Sequence, residues 1–126
     1  QVVAMMSPWH EPSYLKRVWC DFEMFTAVAM GKAGITIVMP PEEMDDFRAA
    51  LLEKTGIDRV WRACTGVRVE AAQASVEEDR QNILRMIRDG PGYQKMNCVI
   101  VEHLQKWMID CSEIYFRQHL HDEEMD

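Results

Sequence analysis

Two short runs of apolar and β-branched residues most narrowly limit the folds that are open to this chain. Residues 2–6 form a continuous apolar run, and residues 35–39 are β-branched at four of five positions. Runs of this length without polar alternation favour strands that are covered on both faces, as in a parallel sheet. A proline closes each run, and a segment with helical spacing of its apolar residues follows. The chain is therefore expected to alternate strands with helices.

The segment after the first run predicts a helix over residues 13–30. Six of its residues recur at spacings of three and four, the period of a helix with one buried face. They are Leu15, Val18, Trp19, Phe22, Phe25 and Ala29. Ser13 suits the N-cap position, and Trp19 and Cys20 are interpreted as packing residues. Glu23 lies within this apolar block, so its carboxylate is either held at the rim of the buried face or used for chemistry.

Four further elements are expected along the rest of the chain. They are a helix that begins at Pro41 and ends before Gly56, a strand over residues 66–70, and helices over residues 76–89 and 93–119. The acidic first turns of the helix at Pro41 complement the helix dipole and lack the spacing of a calcium loop. Residues 57–65 fit either a short helix or a connection, and residues 121–126 form a polar acidic tail.

This order of elements predicts an α/β fold in three layers, with a parallel sheet between helices and a long C-terminal helix. Residues 1–120 form a single domain in this interpretation. Ligands of such sheets bind beyond the carboxyl ends of the strands. Those ends are residues 7–12, 40–43 and 70–75, so a binding site is expected where these segments meet.

Charge and composition argue against several classes of function. The 126 residues carry a net charge of −7, which disfavours binding to the phosphates of DNA or RNA and to an anionic membrane surface. No apolar run approaches the ~18 residues of a membrane span. The four cysteines form no C-x-x-C pair, and no metal site is predicted. We interpret the cysteines as reduced thiols of a cytoplasmic protein.

The residues around the first predicted helix resemble part of a known family. An apolar strand, Ser7, Tyr14, the pair Trp19 and Cys20, and then Glu23 follow one another as in the third strand and following helix of TIR domains. The next predicted strand, closed by proline, and the acidic helix resemble the elements that follow in that family. Later Ala-Gln-Ala and Glu-Asp segments make the chain look closest to a divergent TIR-like group of protists and algae.

The resemblance implies a flavodoxin-like, TIR-type sheet in three layers that lacks its first two strands. The chain opens at Gln1, inside an apolar run, so we expect residues 1–120 to be the carboxyl-terminal portion of a TIR-like domain. One inner edge of the sheet would then be unpaired. The resemblance also implies homotypic association, in which the partner is another TIR-like domain.

In TIR domains that cleave NAD, the glutamate of this motif is the catalytic carboxylate. The resemblance therefore implies that Glu23 stabilises the positive charge that builds on the ribose as its bond to nicotinamide breaks. Ser7 and Trp9 follow the first strand, where a nucleotide would sit, and Arg17 is a candidate for its phosphate. NAD is then a substrate, no bound cofactor is implied, and activity as an NAD glycohydrolase is expected only where the missing amino-terminal half is supplied.

Several alternatives stay open at the level of sequence. Trp9 fits stacking on a base or an exposed contact with another protein, and Arg17 fits a phosphate or an ion pair with Glu11 or Asp21. Glu23 also fits a structural ion pair at the rim of its helix. The whole chain equally fits a non-enzymatic TIR-like interaction module, or an inactive truncated remnant.

Overall fold

A computed structural model describes residues 2–30, 35–53, 58–59, 62 and 65–125 of the chain. Helices, strands and short 3₁₀ turns follow one another along these residues. In chain order they are β1 (Val2–Met5), a first 3₁₀ turn (Ser13–Lys16), α1 (Val18–Met30), β2 (Ile35–Val38), α2 (Pro41–Leu52), a second 3₁₀ turn (Val69–Ala71), α3 (Glu77–Asp89) and α4 (Tyr93–Met125).

The fold is mostly helical, with a two-stranded parallel sheet in the described residues, so the predicted three-layer parallel sheet is wrong. β1 and β2 pair along their whole length, starting with Val2 opposite Ile35. On one face of the pair Ala4 is fully buried, whereas on the other face Val3 is 60% exposed. In the described part of the chain, helices therefore cover one face of the sheet and leave the outer face open.

The strand predicted over residues 66–70 does not form. Val67 and Val69 are both buried, so their alternation with polar neighbours is real. However, the backbone N–H of Val69 donates to Oδ1 of Asn97 in α4 at 2.8 Å, and the N–H of Ala72 donates to the Val69 carbonyl at 3.0 Å. These backbone N–H groups are therefore paired with a side chain and a local carbonyl, not with a neighbouring strand. The segment forms a 3₁₀ turn.

The helix predicted over residues 13–30 begins at Val18 instead. Arg17 is extended, and the backbone on either side of it pairs with a distant residue, Gln73. The N–H of Gln73 donates to the carbonyl of Lys16 at 2.7 Å, and the N–H of Val18 donates to the carbonyl of Gln73 at 2.9 Å. The expected N-cap serine opens a 3₁₀ turn rather than the α-helix, because this bridge holds the intervening backbone extended.

Four residues spaced by three form the buried face of α1. They are Val18, Asp21, Met24 and Ala27. Trp19 lies on the outer side, is 52% exposed and stacks on Phe22 with ring centroids 5.9 Å apart. The interpretation of Trp19 as a core packing residue is therefore wrong. Other members of the predicted apolar pattern do face the core, since Val18 is buried and Leu15, Phe22 and Phe25 pack against buried residues.

The other helices lie close to their predicted positions. α2 begins at Pro41, at a first-turn position where the missing N–H costs no helical hydrogen bond. α3 begins at Glu77, one residue later than predicted. α4 continues to Met125, so residues 121–125 of the predicted tail belong to the helix. Most of the undecided segment 57–65 lies outside the described residues.

The buried apolar side chains form two clusters. The larger one joins the covered face of the sheet to α1, α3, α4 and the second 3₁₀ turn. Its members are Ala4, Met6, Val18, Met24, Val67, Val69, Ala72, Ile83, Leu84, Ile87, Met96, Ile100 and Leu104. The smaller cluster joins the loop after β1 to α2 and α4 through Trp9, Phe47, Ala50, Leu51 and Met108.

Trp9 lies at the centre of the smaller cluster and is fully buried, so it is not an exposed loop residue. Its indole Nε1–H donates to Oδ2 of Asp46 at 2.8 Å, and its backbone N–H donates to Oε2 of Glu43 at 2.9 Å. Its ring meets Phe47 edge-on with centroids 5.1 Å apart. The guanidinium of Arg59 lies 5.5 Å from the ring centroid. α2 therefore fixes the loop that follows β1.

We expect Asp46→Ala to lower the free energy of unfolding by about 1–3 kcal/mol, because it leaves the buried indole N–H without its charged acceptor. Urea unfolding followed by circular dichroism measures this loss. The matched control is Asp45→Ala, which removes an exposed carboxylate from the same turn. An equal loss in both variants would show that helix-dipole effects, rather than the bond to Trp9, account for the stability.

Candidate functional site

A groove of about 580 Å³ lies where two of the three predicted ligand-binding segments meet. Residues 10–12, just after β1, form one side, and residues 71–73 belong to the other. Residues 40–43, the third predicted segment, are not among those that line it. The groove is therefore the described concavity that best matches the site expected beyond the carboxyl end of a strand.

Backbone pairing and one arginine hold the two sides together. The hydrogen bonds of Gln73 to the backbone at Lys16 and Val18 close the groove at its base. From α3, Arg80 donates its Nε–H to the carbonyl of Ala72 at 2.7 Å and its Nη2–H to the carbonyl of Glu70 at 3.1 Å. Carbonyls that would otherwise lack partners in this non-helical segment are thus satisfied. The wall is preformed rather than loose.

Asn97 of α4 supports the same wall from behind. It accepts the backbone N–H of Val69 and donates its Nδ2–H to both carboxylate oxygens of Glu70, at 3.2 and 3.3 Å. Glu70 in turn lies 3.5 Å from Nε of Arg68. The orientation of Arg68 at the groove therefore depends on a chain of contacts that begins in α4.

The polar part of the lining is mainly cationic. Lys16, Arg62 and Arg68 reach the groove together with the imidazole of His10. One carboxylate is present, that of Glu11, whose Oε1 lies 3.3 Å from Nζ of Lys16. Both partners of this ion pair are more than half exposed, so an anion arriving from solvent can compete for the ammonium group.

None of the four predicted site residues lines the groove. Ser7 is half-buried, and its carbonyl accepts the N–H of Ser13 at 3.3 Å. Trp9 is enclosed in the smaller core cluster, so its ring is not available to a base. Arg17 donates Nη2–H to Oγ of Ser75 at 3.3 Å rather than to the carboxylates suggested by the sequence. Arg17 and Glu23 both lie near Cys20, in the first turn of α1, whereas Trp9 is enclosed in the smaller cluster.

The chain neighbours of two predicted residues do line the groove. His10 follows Trp9, and Lys16 precedes Arg17, so the groove is lined by the segments that contain the predicted residues but not by those residues themselves. Arg62 and Arg68 were missed altogether. They meet Lys16 at the groove only in the folded chain, so neither position carries a local signal for it.

Glu23 belongs to a second group of polar side chains, on α1. It is half-buried, and its negative charge helps to raise the pKa values of Tyr14 and Cys20, after the larger effect of burial on each. The hydroxyl of Tyr14 is buried and has no hydrogen-bond partner among the described residues. The same 3₁₀ turn that carries Tyr14 also carries Leu15 and Lys16 of the groove.

Asp21 is the unexpected member of this region. Its side chain is fully buried, and neither carboxylate oxygen has a hydrogen-bond partner among the described residues. Burial raises the pKa of Asp21 to about 8, because the charged form is poorly solvated there. The sequence did carry a signal. Asp21 lies three residues from both Val18 and Met24, on the face that proves to be buried.

No family model, curated protein or solved structure matches this chain. The resemblance to TIR domains therefore rests on the sequence pattern that surrounds Trp19 and Glu23. Among the described residues, no helix is both long enough and apolar enough for a membrane span. In the same part of the chain, no group of three or more histidine, cysteine or acidic side chains is placed to hold a metal ion.

The buried carboxyl group of Asp21 predicts how the stability of the fold depends on pH. The folded-state pKa of Asp21 is raised, so folding favours the protonated form, and stability is lost as the pH rises from about 4 towards about 8. We expect Asp21→Asn to remove several kcal/mol of this decline, since one pKa unit corresponds to about 1.4 kcal/mol. Urea unfolding at a series of pH values measures the slope.

Asp45→Asn is the control, because it removes an exposed carboxylate and should leave the slope as in the parent chain. Parallel pH profiles for Asp21→Asn and the parent chain would contradict the assignment. They would show that Asp21 titrates normally in the folded state.

Proposed function

We propose that this chain binds a small phosphate-bearing molecule of the nucleotide class in the groove. The observation that carries the proposal is the convergence of Lys16, Arg62 and Arg68 on one concavity. The chain has 21 acidic residues against 14 lysines and arginines. Three cations at one groove of so acidic a protein form a local field of the opposite sign, which attracts a compact anion.

The lining suits such a ligand in two further respects. Arginine can hold phosphate oxygens through two parallel N–H bonds, and lysine adds a flexible point charge. Apolar side chains, among them Pro12, Leu15 and Val67, offer a surface for the organic part of the ligand. The volume of about 580 Å³ lies within the usual range for small-molecule sites.

The charge distribution separates this ligand class from a nucleic acid. A polynucleotide needs cations spread along an extended surface, whose counterion release supplies most of the affinity. Here the net charge is −7, so the surface beyond a small cationic patch repels a long polyanion. A single nucleotide or a related phosphate ester avoids that repulsion.

We expect AMP and NAD to bind the chain, and uncharged adenosine to bind more weakly by about tenfold or more, because the phosphate contacts are lost. Lys16→Ala and Arg68→Ala should each weaken AMP binding by about three- to tenfold. Isothermal titration calorimetry at low ionic strength measures these affinities.

Arg88→Ala serves as the control, because this arginine is exposed on α3, where it lies beside Asp89, and it does not line the groove. Its affinity for AMP should match that of the parent chain. Equal binding of AMP and adenosine, or equal losses for Arg88→Ala and Lys16→Ala, would rule out the groove as a phosphate site.

Cleavage of NAD with Glu23 as the catalytic carboxylate is a second candidate function. The observation that favours it is the half-buried position of Glu23 near Tyr14, whose neighbours Leu15 and Lys16 line the groove. A nucleotide held there would lie close to α1. The carboxylate would oppose the positive charge on the ribose while nicotinamide leaves and water adds to the ribose carbon.

If this second proposal holds, the chain joined to the amino-terminal strands that the resemblance implies releases nicotinamide from NAD, and Glu23→Gln lowers the rate about a hundredfold or more by removing the charge. Chromatographic detection of nicotinamide measures the rate. Glu78→Gln is the control, since this exposed glutamate lies on α3. Absence of turnover in that longer protein with NAD bound would contradict cleavage while leaving nucleotide binding intact.

We also propose a reducing compartment such as the cytoplasm. Cys20, Cys98 and Cys111 are free thiols in the structure, which supports the proposal because paired cysteines are typical of oxidising compartments.

A further inference from the structure

The two sides of the groove differ in charge. The carbonyl of Arg62 accepts the N–H of Gly66 at 3.2 Å, so Arg62 lies on the same wall as Arg68, which we call the arginine wall. Glu70, the acidic partner of Arg68, is not among the residues that line the groove. The arginine wall therefore presents two guanidinium groups to a ligand, and a phosphate is expected to bind on this side.

The side formed by residues 10–12 carries an aromatic ring and little net charge. Oε1 of Glu11 lies 3.3 Å from Nζ of Lys16, so these two charges offset each other. The imidazole of His10 is exposed, and it is the aromatic ring among the described residues that line the groove. Pro12 adds an apolar neighbour. This side therefore suits a flat, uncharged group better than it suits a phosphate.

Contacts behind the groove fix the position of the His10 ring. The ring meets that of Trp9 edge-on, with centroids 5.5 Å apart and an interplanar angle of 80°. Trp9 is itself fully buried and hydrogen-bonded to Asp46 and Glu43 of α2. An edge-on contact covers at most one face of the imidazole, so Trp9 leaves at least one face open. A ring held in this way loses little conformational freedom when a ligand stacks on it.

We propose that His10 recognises the base of a bound nucleotide by stacking, while the phosphate binds at the arginine wall. This inference rests on the proposed function of the groove and adds an orientation for the ligand. Stacking on an aromatic side chain typically strengthens binding by about five- to 150-fold per base, and it tolerates different bases because each has an aromatic face. A nucleotide therefore binds more tightly than a sugar phosphate that lacks a base.

The same residues disfavour the opposite orientation. A phosphate beside His10 would lie next to the carboxylate of Glu11, which follows directly in the chain and lines the groove. Like charges at such short range repel each other. The guanidinium groups of the arginine wall would meanwhile be left without the anion that they attract.

The test compares AMP with ribose 5-phosphate, which carries a phosphate but no base, by isothermal titration calorimetry at low ionic strength. The parent chain is expected to bind AMP about tenfold more tightly. His10→Ala should weaken AMP binding by about five- to tenfold and leave the affinity for ribose 5-phosphate within about twofold. His10→Phe should restore AMP binding, because it keeps an aromatic ring without the polar imidazole nitrogens. Arg68→Ala should weaken the binding of both ligands alike.

His103→Ala is the matched control, because this half-buried histidine of α4 is not among the residues that line the groove. Its affinity for AMP should equal that of the parent chain. Equal binding of the two ligands by the parent chain would overturn the proposal. So would equal losses of both ligands in His10→Ala, or an affinity for AMP in His10→Phe as low as in His10→Ala.

Failure of the proposed function gives a different result, because the parent chain would then bind neither AMP nor ribose 5-phosphate. Retained binding of ribose 5-phosphate by His10→Ala shows that this variant folds with its groove intact. A loss confined to AMP can therefore be assigned to the missing ring.

Discussion

The contact between Trp9 and α2 is the one on which the arrangement of this molecule most depends. The loop after β1 has no strand or helix of its own to hold it before the first 3₁₀ turn. Asp46 accepts a hydrogen bond from the indole N–H of Trp9, and Glu43 accepts one from its backbone N–H. The ring is also fully buried, which further restricts the conformation of the loop. His10 and Glu11 are the next residues, so one side of the groove is fixed through α2.

The other side of the groove is fixed by contacts that replace a sheet. Gln73 pairs with the backbone next to Arg17 as a strand would, but for one residue only. Arg80 and Asn97 then satisfy the remaining backbone groups from α3 and α4. Side chains thus do what a neighbouring strand would do in a parallel sheet. This is why a largely helical chain can still present a preformed concavity at the end of a strand.

Local patterns predicted several elements correctly, including the two strands, although Val2 of one strand pairs with the distant Ile35 of the other. β1, β2, the start of α2 at Pro41 and most of α3 lie within about two residues of prediction. Two of the failures, the start of α1 and the strand predicted over residues 66–70, involve partners distant in the chain. The segment at Val69 alternates like a strand, yet its N–H group is taken by a residue 28 positions away. Two segments that line the groove, after β1 and around residue 72, were likewise predictable from the sequence, but Arg62 and Arg68 meet Lys16 only through tertiary contacts.

The groove is cationic, but two of its three cations have a carboxylate partner. Lys16 is held by Glu11 and Arg68 by Glu70, each within a few residues in the chain. These carboxylates lower the mutual repulsion of the cations while no ligand is present, and exposed ion pairs of this kind are weak. Under the proposed function, a phosphate would displace them at little cost, whereas a neutral molecule would have no means to do so. The selectivity for an anion that we propose would then follow from the weakness of these internal ion pairs.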